Sequence, residues 1–81
     1  MPDRSETVSP RMEAQWAVTR VLMEKVRADS HPSATHMSII EETIPQPLVR
    51  EYLNILLEKV LTDSSPSIPM IRRIKRIADR L

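Results

Sequence analysis

Three groupings of residues in this chain could do chemistry: two histidines, one pair of adjacent glutamates and a cluster of five basic side chains near the C-terminus. His31 and His36 stand five positions apart on either side of a Pro/Ser stretch. They lack the spacing that puts two imidazoles on one helix face for zinc, and they read as surface histidines. Glu41 and Glu42 are neighbours and point in different directions on a helix, which suits capping and solvation better than paired acid/base work. The chain has no Cys and no Gly. A thiolate zinc site, a cysteine nucleophile, a glycine-rich phosphate loop and the dinucleotide fingerprint are thereby excluded. No Ser, His and Asp arrangement follows from spacing. The expectation is a protein that is not an enzyme, with no catalytic residue, no metal and no cofactor.

The third grouping is Arg72, Arg73, Lys75, Arg76 and Arg80. Net charge is only +1, yet residues 63–81 hold five basic and two acidic side chains, whereas 1–31 are balanced and 32–62 are acidic. Set opposite an isoleucine stripe, these five make a basic amphipathic helix. The plainest use is a solvated face pairing with Glu51 or Glu58. Neutralising phosphates along a nucleic acid is the alternative, although no aromatic side chains are interleaved to stack on bases. A membrane surface fits less well, because the helix lacks an interfacial Trp or Phe.

The elements that must position these groups follow from periodicity. A chain of 81 residues and 9.4 kDa makes one small domain with a thin core. Ile, Leu and Val supply about a quarter of it, more than a disordered chain carries. Residues 1–9 are polar and aperiodic and read as a disordered N-terminus. Ser9-Pro10 is a helix start, with Ser as cap and Pro in the first turn. A helix over 10–28 follows, with Met12, Trp16, Val18, Val21, Leu22, Met23 and Val26 in a wide stripe. Pro32 breaks it. A second helix spans about 34–43, with Met37, Ile40 and Ile44 on one face; Ser38 and Glu41 have capping-box spacing, which would start it later. Ile44 and Gln46, each preceding a proline, are expected to be extended. A third helix over 47–62 carries Val49, Leu53, Leu56 and Val60 at steps of four, three and four, and Leu48, Tyr52, Leu57 and Leu61 on its flanks. A fourth over 69–81 carries Met70, Ile71, Ile74, Ile77, Ala78 and Leu81. No run alternates with period two. The prediction is an all-α bundle of three to four short helices in a single domain over 10–81, completed by dimerisation.

A thin core with unsatisfied apolar stripes points to protein–protein interaction. The expected function is a dimerisation, docking or regulatory-adaptor module acting through helices 47–62 and 69–81. Its interface would use Trp16, Val49, Tyr52, Leu53, Leu56, Val60, Ile71, Ile74 and Ile77. Trp16 and Tyr52, the two aromatic residues, serve equally as interface anchors or as core. Helix 10–28 is left open between core and docking surface. The start MPDRSETVSP has no apolar stretch for secretion, and the longest apolar runs are too short to span a membrane, so a cytoplasmic or nuclear location is expected. From Ile44 to Leu81, an Ile-Pro segment, a leucine-rich helix, a Pro-containing loop at 62–69 and a second amphipathic helix resemble the dimerisation and docking domain of cAMP-dependent protein kinase regulatory subunits. That resemblance, carried by Ile44, Pro45 and Leu48, implies an X-shaped dimeric four-helix bundle; the longer loop and basic second helix depart from the family. Pro45 and Pro47, followed by Arg50, Leu53, Leu56 and Leu57, are similar to small anti-sigma factors of the bacterial general stress response. No family is assigned on either. If the third helix is buried as its stripe demands, Leu53→Ala should cost about 2–5 kcal/mol in denaturant titrations. An unchanged melting temperature and oligomeric state would refute that burial.

Overall fold

Serine hydroxyls set three of the helix starts. The structure is a computed structural model that describes residues 9–81. In it Ser9 Oγ accepts from the Met12 amide at 3.1 Å, Ser33 Oγ from His36 at 3.3 Å and Ser67 Oγ from Met70 at 3.2 Å. Each answers an amide that has no intrahelical partner. The helices so opened are α1 (Pro10–Ala28), α2 (Ala34–Thr43) and α4 (Ile68–Ala78), and between them lies α3 (Gln46–Thr62). Proline stands in the first turn of α1, α3 and α4, where its missing N–H costs nothing. The all-α expectation is met, with four helices and no strand among the described residues. Residues 1–8, expected to be disordered, lie outside the described residues.

α2 spans Ala34–Thr43 as expected; it starts on the Ser33 cap, so the later start at a Ser38/Glu41 capping box does not occur, and Glu41 is drawn to partners on other helices instead. Two details differ from expectation. Gln46 is not extended but takes the first position of α3, where its side-chain Nε2 donates to the Arg80 carbonyl at 2.8 Å. α4 ends at Ala78, three residues early, because Arg80 and Leu81 donate to the carbonyls of Ile77 and Ala78 in a tightened last turn.

α3 is the axis of the fold. It contributes Leu48, Val49, Tyr52, Leu53, Ile55 and Leu56 to the buried core, about as much as the other helices together. α1 adds Thr19, Met23 and Val26, α2 adds Met37 and Ile40, and α4 adds Ile77. Thr19 is buried without penalty because its hydroxyl donates to the Gln15 carbonyl at 2.8 Å. α1 packs against both α2 and α3, and α4 packs along α3. Polar ties reinforce the ends: Lys59 Nζ donates to the Arg27 carbonyl at the end of α1, at 2.6 Å, one of the orphan carbonyls of that terminus.

Candidate functional site

Glu41 occupies a position on α2 that helical spacing from Met37 turns inward. Its carboxylate accepts from Arg73 Nη1 of α4 at 2.8 Å and from the Tyr52 hydroxyl of α3 at 2.6 Å. Both members of the ion pair keep only 12% of side-chain exposure. The Tyr52 hydroxyl also lies 3.5 Å from the Met37 carbonyl, and Arg80 Nη1 donates to the Glu41 carbonyl at 2.7 Å. Burial, and after it the adjoining Glu41 carboxylate, push the Tyr52 phenol well above its ordinary range. The cluster therefore joins three helices through one carboxylate, with a phenol that stays protonated throughout the neutral range.

This arrangement corrects the expected basic surface. Arg73 is not on the solvent face; Met70, Arg73 and Ile77 share one side of α4, and the guanidinium enters the core boundary to meet Glu41. Arg72, Lys75 and Arg76 are exposed, and Arg80 is exposed but donates to α2. The expected hydrophobic seam is divided as well. Val49, Tyr52, Leu53, Leu56 and Ile77 are buried within a single chain, where α4 and α1 pack on α3 and Tyr52 reaches Met37 and Glu41 of α2. Trp16 and Ile74 are half-buried against that core and Val60 is also half-buried, while Ile71 is largely exposed. Tyr52 is thus a core residue with its hydroxyl committed, not an anchor at the surface.

Most aliphatic side chains left outside lie on α1 or on the α3–α4 hairpin, with Ile39 of α2 and Leu81 apart from them. On α3 and α4, Leu57, Leu61, Ile68 and Ile71 keep 37%, 82%, 64% and 40% of their exposure. On α1, the face opposite Thr19, Met23 and Val26 leaves Val18 and Val21 exposed, so this helix is core on one side and open on the other. Residue types alone did not single out the Glu41 cluster. The signal was available in register: Glu41 and Arg73 each stand at a helical step from buried apolar residues, which places opposite charges on two inward faces.

No helix among the described residues is long and apolar enough to cross a membrane. No family model, no curated protein and no solved structure matches the chain.

Two outcomes test the cluster. Arg73→Met alone should lower unfolding free energy by about 3–5 kcal/mol, because it strands a buried carboxylate, whereas the triple replacement Glu41→Leu, Tyr52→Phe, Arg73→Met should recover most of that loss. Chemical denaturation of both variants measures it. Because the folded phenol is held above its unfolded value of about 10, its contribution is fully present below that pH. As pH climbs further the unfolded chain gives up the proton first, and stability should fall by up to about 1.4 kcal/mol per pH unit. Tyr52→Phe should remove that component of the alkaline slope in melts between pH 9 and 11.

Proposed function

We propose that this chain is a small non-enzymatic protein-interaction module, a docking or regulatory adaptor of the cytoplasm or nucleus, that dimerises through the outer face of α3 and α4. The observation that carries the reading is the exposure of Leu57, Leu61, Ile68 and Ile71 on one helical hairpin. Leu57 and Leu61 stand at i, i+4 on α3, and Ile71, Ile74 and Ala78 follow helical spacing on α4, which packs alongside. Clusters of exposed aliphatic side chains in small domains mark interaction sites. Covering them is worth roughly 25 cal/mol per Å² removed from water. An isologous two-fold contact would use the same patch twice and enlarge a core that one chain can build only thinly. The inner half of the stripe stays inside each protomer, so the seam would consist of Leu57, Leu61, Ile71 and the open side of Ile74.

Light scattering on a sizing column tests this directly. The wild-type chain should elute at twice its monomer mass independently of salt, and Leu61→Glu combined with Ile71→Glu should elute as a monomer with undiminished helicity, since both positions lie outside the core. A wild-type monomer at high protein concentration would overturn the reading.

A second reading, nucleic-acid binding, is favoured by one observation: Arg72, Lys75 and Arg76 are exposed at helical spacing and make no ion pair among the described residues. Three phosphate contacts would give a slope of about −2.7 in log affinity against log salt. Charge reversal at Arg72 and Arg76 should abolish binding to arbitrary duplex measured by fluorescence anisotropy.

A further inference from the structure

Where the α1–α2 and α3–α4 loops meet, the fold encloses an open cavity of about 410 Å³. That lies within the range of small-molecule sites. Met37, Val60 and Met70 line its apolar side, together with the rings of Pro32 and Pro66 from the two loops and Pro69 from the first turn of α4. Methionines of this kind reshape around irregular apolar bodies. Proline rings add rigid apolar wall and bring no amide donor of their own.

The polar side is unevenly balanced. Lys59, Arg73, His31 and Asp63 all contribute to the lining. Arg73 is committed to Glu41. Asp63 follows Lys59 by four residues but lies just past the end of α3 with an extended backbone, so it is off the helical register that would pair the two. Among the described residues Lys59 makes no ion pair, and Asp63 Oδ1 instead accepts from the Ser65 amide at 2.9 Å. The Lys59 ammonium is held by the Arg27 carbonyl at 2.6 Å, which uses one of its three donors. A half-buried cation with two further donors thus borders the apolar side of the cavity, while the Asp63 carboxylate of the same lining is turned to the Ser65 amide. We propose that this cavity binds a small amphipathic carboxylate, of medium-chain fatty-acid size, with its apolar body over Met37, Val60 and Met70 and its carboxylate on Lys59. A charge-assisted bond to the carboxylate replaces the missing partner. An alkyl cation would meet Lys59 and Arg73 as like charges, and a neutral alcohol would forgo that bond. This site is separate from the outer face of α3 and α4 and does not rest on dimerisation.

Octanoate is the probe, with octanol and octylammonium as neutral and cationic controls, each followed by amide chemical shifts of the full chain. Octanoate should saturate shifts confined to residues 30–37 and 59–70, with octanol weaker and octylammonium inert. Lys59→Met, which keeps the stem and removes the charge, should weaken octanoate about tenfold or more. Ala34→Phe, an exposed lining position, should block the cavity while circular dichroism stays native, so that loss of binding does not depend on the Lys59 variant folding. Equal response to octylammonium, unaltered affinity in Lys59→Met, shifts centred on Leu57 and Leu61, or no saturable shift below the self-association concentration would each overturn the assignment.

Discussion

A carboxylate withdrawn from water must be met by donors at close range, and in this protein Glu41 of α2 is met from two other helices. Arg73 and Tyr52 reach it from α4 and α3, and Arg80 holds the carbonyl of the same residue. The helices have apolar contacts as well, but those are non-directional and would tolerate rotation of one helix against another. The charged and hydrogen-bonded contacts do not. α4 contributes one fully buried residue, Ile77, with Met70 and Ile74 packed at the core's edge, and Arg73 on the same side meets Glu41. A buried pair of this kind adds little net energy over apolar residues of the same volume. What it adds here is a directional contact between α4 and α2.

The orientation of α4 decides what the surface offers. With Arg73 turned toward α2, the isoleucine stripe of α4 is rolled so that Ile77 enters the core, Ile74 sits at its edge and Ile71 faces outward. Leu57 and Leu61 on α3 remain open beside it. The same orientation leaves Arg72, Lys75 and Arg76 in solvent. Lys75 stands four residues after Ile71 and Arg72 four after Ile68, so the exposed hydrophobic and basic side chains adjoin on this short helix.

Arg73 also links the core cluster to the cavity at the loop end, since its side chain borders both. Its charge is already answered there by Glu41, whereas the charge of Lys59 is not. The contrast explains why two cations at one cavity have different chemistry: one is structural, and the other is held by a carbonyl with donors to spare.

Much of the architecture was legible in the residues alone. Serine and proline at the helix starts, apolar steps of three and four, and the prolines between helices are local signals, because a cap or a helical period depends on residues within one or two turns. The all-α fold and the burial of the 47–62 stripe followed from them. Local signals could not say whether that stripe would be covered by the other helices of the same chain or by a second chain, because both satisfy the same demand for burial. Nor could composition distinguish Arg73 from Arg72 beside it, or Glu41 from Glu42. Each pair is chemically alike and differs by one residue of helical rotation, and only the packing of three helices around a common point turned one member of each inward. The sequence by itself determined which segments are helices and which of their faces are apolar; tertiary structure alone decided which charges are buried, since desolvating a carboxylate is tolerable only where donors from distant parts of the chain converge on it.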